Sequence, residues 1–246
     1  MIANYHTHTR WCRHGTGEIE DYICAAIACG LEELAMTEHV PQRNGFDSNR
    51  MQWPEFDAYN EELDRMILKY RGKIRVRKGF ECEYYPDMLD DYRTFRDDYG
   101  YELLVLAQHT TMDRRHDSFF LTEPWQLERY ATDTCQGLKS GMFDFLAHPD
   151  VVICGYRKVD FHVREAMNRI FSICERLHIP VELNANGYYC NRGYPCRAVW
   201  ELAADYDLDC LINSDAHQPE NLAGPYIVAC EQMAKELGLR VLPKLP

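Results

Sequence analysis

The stretch "NYHTHTRWCRHG", residues 4–15, holds three of the chain's ten histidines. His6 and His8 are separated by one residue and follow the apolar residues that begin the chain. Residues i and i+2 of a strand point to the same face, so both imidazoles are predicted to face one side at the end of a first strand. His14 follows in the next loop. Neutral imidazoles clustered in this way are typical ligands of zinc, manganese or iron(II).

The same pattern, a short apolar run that ends in a polar cluster and precedes an amphipathic stretch, recurs along the chain. The seven runs are MIANYHTH (1–8), LEELAMTEH (31–39), IRVRKGFECE (74–83), ELLVLAQH (102–109), FDFLAHPD (143–150), IPVELNANG (179–187) and DCLINSDAH (209–217). Alternating strands and helices predict parallel strands joined by crossover helices. Seven units without a linker or internal repeat favour one α/β barrel domain spanning residues 1–246.

Three of the intervening helices have clear signals. One is predicted from an N-cap at Thr16 to Gly30, and a second between Asp160 and His178, where Pro180 prevents continuation. A third begins near Pro124 and carries apolar residues on one face.

Charge and composition exclude several classes of protein. The net charge is −12, which disfavours a stable complex with nucleic acid, although a small anionic substrate is still compatible with a locally positive site. No apolar run approaches the ~20 residues that cross a bilayer, so no membrane partner is expected.

The eleven cysteines form no CxxC pair, and no secretory leader is recognised, so a reducing cytoplasm is expected. Cys24, Cys29, Cys135, Cys174 and Cys230 fall in apolar helical patterns, where cysteine behaves as a small hydrophobic residue.

Potential metal ligands follow six of the seven runs. In a βα barrel the carboxyl ends of the strands meet on one face, where catalytic groups lie. The predicted metal ligands are His6, His8, His14, His39, Glu81, His109, His148, Asp215 and His217. One ion takes about four ligands, so nine residues can serve two or three ions, with Glu81 as the candidate bridge.

The other three histidines, His116, His162 and His178, are predicted to be structural or surface residues because they lie in a charged loop or at helix ends. A single histidine is more often a hydrogen-bonded structural residue than a ligand. Seven of ten histidines at or just after the ends of apolar runs, however, indicate a shared metal site.

The motifs YHTHT, TEH, GFECE, AQH, AHPD and NSDAH, in this order and spacing, resemble the PHP (polymerase and histidinol phosphatase) domain, and the resemblance covers nearly the whole chain. It implies a distorted (β/α)7 TIM-like barrel with three divalent ions, zinc, manganese or iron. By position, one ion would be held by His6, His8, Glu81 and Asp215, a second by Glu81, His109 and His148, and a third by His14, His39 and His217.

The stand-alone histidinol-phosphate phosphatases within this family resemble the chain in AHPDVV followed by GYRK, and in VELNANG followed by NRGYP. The resemblance implies that Arg157 and Arg192 bind the substrate phosphate, although a surface ion pair is the other interpretation of each arginine. The segment AQHTTMDRRHD differs from that branch. A small phosphorylated substrate, most specifically L-histidinol phosphate, is therefore expected, while the sequence leaves the oligomeric state open.

The expected reaction is hydrolysis of a phosphomonoester by a water that loses its proton between two ions. Asp215, His217 and Glu81 are the candidate catalytic residues, and either Asp215 or a water on an ion would protonate the leaving group. Glu83 shares a predicted strand face with Glu81 and is a candidate substrate contact, while Asn184 and Asn186 are candidates to line the mouth.

Three alternatives are left open by the sequence. One is a PHP phosphoesterase of other specificity, for phosphotyrosine, a nucleotide or an oligonucleotide. Another is a metal-binding barrel without catalysis, and the third is amidohydrolase-type chemistry, which also uses histidine-rich barrel mouths.

Overall fold

The computed structural model describes residues 1–245 as one parallel sheet curled into a barrel with helices around it. The strands are β1 (Ala3–Asn4), β2 (Glu33–His39), β3 (Arg75–Cys82), β4 (Leu103–Leu106), β5 (Phe145–Leu146), β6 (Val181–Asn184), β7 (Asp209–Asn213) and β8 (Arg240–Val241). Spatial order follows chain order, and every neighbouring pair is parallel. The predicted seven-stranded barrel is confirmed, with β8 as a short eighth strand beside β7.

Nine α-helices are present in residues 1–245. They are α1 (Ile19–Ala28), α2 (Phe56–Tyr70), α3 (Leu89–Asp97), α4 (Pro124–Lys139), α5 (Ile153–Tyr156), α6 (Phe161–Leu177), α7 (Asn186–Tyr189), α8 (Arg197–Ala203) and α9 (Pro225–Leu237). Within this described range, no helix is both long and apolar enough to span a membrane.

The barrel closes where the end of β1 meets the end of β7. Thr7 and Ala216 form a parallel bridge, and the His8 backbone N–H donates to the Ala216 carbonyl at 2.9 Å. At the opposite end β8 pairs with β7 instead, through Asp209 and Arg240. The closure is thus confined to the carboxyl ends of the strands, and it brings the first and last histidine motifs together.

Two apolar cores hold the barrel together. The inner one fills the barrel with residues of alternate strand positions, among them Tyr5, Val105, Phe145 and Leu211. The larger one lies between sheet and helices and contains most of the buried aromatic side chains. Because burial of apolar surface is the main stabilising term, this double layer holds the strand ends in fixed positions.

The helix predictions differ from the structure mainly at their starts. Helix α6 agrees closely: Asp160 is the N-cap, its side chain accepts from the N–H groups of His162 and Val163, and His178 ends it in the left-handed conformation. Helix α1 instead begins after Glu18, which forms a capping box with Asp21, so the Thr16 cap was wrong. Glu18 caps the helix in place of Thr16 because the carboxylates of Glu18 and Asp21 each accept a hydrogen bond from the other residue's backbone N–H.

Two other local predictions need correction. Strand β1 ends at Asn4, so His6 and His8 lie beyond it rather than within it. Cys24 and Cys29 are exposed rather than packed as small hydrophobic residues, because they lie on the outer face of the first helix and at its end. Cys135, Cys174 and Cys230 are buried, as expected.

Candidate metal centre

Glu81 lies at the centre of the site, near the end of β3, and is fully buried. Its Oε1 lies 3.0–3.1 Å from the Nε2 atoms of His6, His109 and His148. Its Oε2 lies 3.3 Å from His8 Nε2 and 2.8 Å from His39 Nδ1. One carboxylate therefore contacts five imidazoles from four different strand ends.

Asp215 forms the second carboxylate of the cluster. Its Oδ1 lies 3.6 Å from His6 Nε2, 3.3 Å from His8 Nε2 and 3.5 Å from His217 Nδ1. Its Oδ2 accepts from the side-chain amides of Asn184 and Asn186, each at 3.1 Å. The amides hold one oxygen, which leaves the other directed at the imidazoles.

The remaining imidazoles stack on one another beside the carboxylates of Glu81 and Asp215. The ring centroid of His8 lies 4.4 Å from that of His39 and 4.5 Å from that of His217. His14 lies 4.7 Å from His217 and 5.2 Å from His39. All nine residues singled out from the sequence thus meet in one cluster.

Several nitrogen and oxygen atoms at the heart of the cluster lie close together but make no hydrogen bond. Within residues 1–245, the buried atoms His6 Nε2, His8 Nε2, Glu81 Oε2 and Asp215 Oδ1 have no hydrogen-bond partner. Burying polar atoms without partners costs several kcal/mol unless a ligand satisfies them, on the order of 1–3 each. Imidazole nitrogens and carboxylate oxygens directed at common points fit divalent transition-metal ions, and several triads have ligand atoms within 4.8 Å of one another.

The electrostatics of the cluster depend on mutual proximity. Burial raises the pKa of Glu81, but His109, His6 and His39 outweigh burial and hold that pKa well below its ordinary value. Burial lowers the pKa of His217 to about 3, and it lowers that of His39 as well. Burial also lowers the pKa of His8 and of His109, but the neighbouring carboxylates outweigh it and raise those pKa values to about 9 and about 10. Ligand imidazoles are neutral, so an ion bound here would displace the protons of these two rings.

Two of the nine residues lie in strained backbone. His148 has φ 25° and Asp215 has φ 48°, both in the left-handed region that side-chain-bearing residues rarely adopt. Such conformations cluster at functional sites, where the surroundings hold them in place. The strain directs each side chain from its strand end into the cluster.

A cavity of about 680 Å³ opens above the cluster. Seven of the nine residues line it, while His6 and His8 lie beneath Glu81 and Asp215. Arg192 also lines it, with its guanidinium 4.9 Å from the Phe119 ring centroid.

The predicted phosphate ligand Arg157 is placed differently from Arg192. It is exposed at the end of α5 and, in the described part of the chain, is not among the residues that line the cavity. Its left-handed backbone turns the chain outward after Tyr156, and this turn separates the GYRK motif from the site. The structure therefore brings one of the two predicted arginines to the cavity.

The other residues that the sequence analysis singled out lie partly in the cavity and partly away from it. Glu83 is buried and engaged by Arg50 and by His109 Nδ1, so it supports a histidine rather than facing a substrate. Asn186 lines the cavity as expected. His162 and His178 are exposed, and His116 packs edge-on against Trp125, in keeping with structural roles.

Sequence reasoning missed the residues that support the cluster. Glu182 is fully buried and its Oε1 lies 2.8 Å from His6 Nδ1, which fixes that ring. Arg50 lies in a loop without any periodic pattern, and no signal in the sequence marked it. For Glu182 a signal existed, because it shares a strand face with Asn184 in VELNAN.

The fold and site together define a metal-dependent α/β barrel with a histidine-rich mouth at the carboxyl ends of its strands. The model of the PHP domain matches residues 4–186, and the chain belongs to that family.

Three relatives illustrate this membership. The protein named "Probable histidinol-phosphatase" of Deinococcus radiodurans is 22% identical, with 98% of this chain and 95% of the relative aligned. "Histidinol-phosphatase" of Bacillus subtilis is 29% identical over 39% of this chain and 38% of the relative. The crystal structure of histidinol phosphate phosphatase from Lactococcus lactis, complexed with zinc, L-histidinol and phosphate, superposes with a TM-score of 0.78 at 16% identity, covering 98% of this chain and 95% of that one.

Proposed function

We propose that the chain hydrolyses small phosphate monoesters, with L-histidinol phosphate as the first candidate substrate, and that it uses three divalent ions. The convergence of nine ligand side chains below one cavity carries the proposal. Family membership supports it, as do relatives named as histidinol phosphatases along nearly their whole length. The Lactococcus structure shows that a protein of this fold holds zinc and both products of that reaction.

The ligand sets follow the positions in the cluster. His6, His8, Glu81 and Asp215 would hold one ion, and the contacts of His6 and His8 with both carboxylates support this set. A second would be held by Glu81, His109 and His148, which meet at Glu81 Oε1. The third would be held by His14, His39 and His217, whose rings lie 4.7–6.5 Å apart.

When bound, the ions would supply an activated nucleophile and neutralise charge on the phosphate oxygens. The chain's own residues would position the ions and transfer the proton. Glu81 spans the cluster because its two oxygens face different histidines. Asp215 Oδ1 faces His8 and His217, while Asn184 and Asn186 hold its other oxygen. Its ionised carboxylate would accept the proton of the attacking water and pass it to the leaving oxygen.

The cavity wall is complementary to a phosphorylated amine. Arg192 offers a guanidinium for bidentate contacts with phosphate. The carboxylates of Asp47 and Asp117 also line the cavity, and Phe119 presents an aromatic face beside His109, with ring centroids 6.0 Å apart. An ammonium group and a flat ring at the far end of the substrate would match these groups.

A substrate-panel assay tests the proposal. Metal-reconstituted protein is given L-histidinol phosphate, p-nitrophenyl phosphate, a phosphotyrosine peptide, a nucleotide and short single-stranded DNA. We expect phosphate release to be fastest with L-histidinol phosphate. His8→Ala and Glu81→Ala should abolish release and lower metal content while the circular dichroism spectrum is retained, whereas Glu165→Gln, at an exposed position of α6, should behave as the parent.

Other outcomes of this assay select other functions. Preference for the peptide, nucleotide or DNA would assign a different PHP phosphoesterase. Metal bound without release from any ester would indicate a non-catalytic barrel, and parent-level activity in Glu81→Ala would contradict the proposed role of the cluster.

A further inference from the structure

Cys12, in the motif WCRHG, is fully buried at the edge of the metal cluster. It ends a short 3-10 turn, Arg10–Cys12, just before His14. The Cys12 Sγ and one nitrogen each of His14 and His217 lie within 4.8 Å of one another. Sulfur and two imidazole nitrogens at this spacing can share one ion.

The backbone around Cys12 is shaped to present N–H groups to sulfur. Arg13 has φ 67°, which folds the chain back, and the Gly15 N–H donates to Cys12 Sγ at 3.0 Å. A Cβ at Gly15 would lie 2.7 Å from the Thr9 carbonyl oxygen, so the turn requires glycine. Burial and Glu38 raise the pKa of the Cys12 thiol, and the Gly15 N–H offsets only part of that rise, so the sulfur keeps its proton until an ion displaces it.

The two imidazoles beside the sulfur are held in the tautomer that binds metal through Nε2. His14 Nδ1 lies 2.7 Å from the Cys12 carbonyl oxygen, and His217 Nδ1 lies 3.0 Å from the Asp215 carbonyl oxygen. A ring nitrogen that donates to a carbonyl carries the proton, which leaves the lone pair on the other nitrogen.

On its other side the sulfur faces His8 and Glu38, both fully buried. Ligand atoms of Cys12, His8 and Glu38 also lie within 4.8 Å of one another. Across residues 1–245, neither His8 Nδ1 nor Glu38 Oε2 finds a hydrogen-bond partner. His8 Nδ1 and Glu38 Oε2 lie 4.0 Å apart, so the sulfur lies beside a buried histidine–carboxylate pair, which is a polar setting and not that of an apolar thiol.

We propose that Cys12 is a thiolate ligand of the ion that His14, His39 and His217 hold, and that it completes a set of four. The inference rests on the metal centre of the proposed function. On binding, the S–H bond breaks, its proton passes to solvent, and the sulfur electron pair forms the bond to the ion. Because thiolate is a soft ligand, this position selects zinc, cobalt or cadmium over manganese or magnesium.

Cobalt loading of the metal-free full-length protein tests the assignment. Thiolate bound to Co²⁺ gives a charge-transfer band in the near ultraviolet, which nitrogen and oxygen ligands do not give. The wild type should show the band, and so should Cys154→Ser, which removes a thiol that lines the cavity. Cys12→Ser should lack it, keep the visible cobalt bands of the other positions, and bind one equivalent at least tenfold more weakly.

Wild-type protein loaded with ¹¹³Cd provides a measurement that needs no variant, in case Cys12→Ser does not fold. One cadmium resonance should lie far downfield of the others, where sulfur-ligated cadmium resonates.

Cobalt or cadmium bound by the wild type without the band or the shifted resonance would overturn the assignment and leave the rest of the centre intact. Persistence of the band in Cys12→Ser, or its loss in Cys154→Ser, would overturn it too. Failure of the wild type to bind any metal would overturn both this assignment and the proposed function.

Discussion

Glu182 shows how a residue that touches no substrate can set the geometry of the centre. Its fully buried carboxylate receives donors from His6 Nδ1 and Asn213 Nδ2 on one oxygen, and from the His148 backbone N–H and Asn184 Nδ2 on the other. Two histidines proposed as metal ligands and two side-chain amides are thereby fixed by a single side chain. Carboxylates in this position orient imidazole ligands and raise their basicity.

We therefore expect Glu182→Gln to weaken metal binding about 10–100-fold, because an amide cannot accept from all four donors. Titration against a competing chelator measures the affinity. Glu165→Gln, an exposed change of the same kind in α6, serves as control. Equal affinities in the two variants would mean that Glu182 does not position His6.

At the scale of the element, helix α6 depends on its N-cap. Asp160 Oδ1 accepts from the N–H groups of His162 and Val163 at 3.0 and 3.3 Å. Asp160→Ala should lower the free energy of unfolding by about 1 kcal/mol, because two backbone donors lose their acceptor. Urea denaturation measures this loss. Asp160→Asn keeps an acceptor oxygen, so a loss equal to that of alanine would argue against capping.

The same carboxylate predicts a pH dependence. Partial burial raises the pKa of Asp160, but Lys158, Tyr156 and the backbone N–H groups outweigh it and lower that pKa from 3.8 to about 2. Since the folded pKa lies below the ordinary value, the stabilisation is full above about pH 4 and is lost as pH falls through 2. The stability difference between wild type and Asp160→Asn should shrink over that window in urea titrations, and a difference that grows there would contradict the assignment.

Helix α5 packs so closely on the segment 118–121 that it requires glycine. A Cβ at Gly155 would lie 2.7 Å from the Leu121 carbonyl oxygen and 2.8 Å from its nitrogen. Gly155→Ala must therefore displace the backbone that carries Phe119 into the cavity.

We expect Gly155→Ala to destabilise the fold by about 1–3 kcal/mol and to raise KM more than it lowers kcat. Thermal unfolding and steady-state kinetics check the two effects. Ser172→Ala, on the exposed face of α6, controls for a small helical substitution. An unchanged Tm would show that the segment 118–121 accommodates the added methyl group without loss of stability, and would contradict the prediction.

At the scale of the whole molecule, the cluster places two buried carboxylates close together in a protein whose net charge is already −12. These carboxylates, Glu81 and Asp215, lie at the barrel mouth among seven imidazoles. Divalent ions held by these residues would bind the folded arrangement far better than the dispersed residues of the unfolded chain. We therefore expect folding stability to depend on metal occupancy.

Removal of the ions with a chelator is expected to lower Tm by several degrees, since RT ln(1 + [L]/Kd) is on the order of 3–4 kcal/mol at saturating metal. Differential scanning calorimetry before and after chelation measures the shift, and added zinc should restore it. A Tm independent of chelator would contradict occupancy of the cluster by ions.

The sequence determined much of this protein. The seven apolar runs specified strands and crossover helices, because hydrophobic periodicity and capping are local properties. Ligand-type residues at the strand ends specified the nine candidate positions, because parallel strands must present their carboxyl ends on one face.

Only the tertiary structure decided the rest. Which oxygen of Glu81 faces which histidine, the support from Glu182 and Arg50, the outward turn at Arg157 and the place of Cys12 all depend on contacts between residues far apart in the chain. Such contacts are set by barrel closure and by backbone conformations at single residues. No periodic pattern encodes either of these, because both arise from packing and not from local propensity.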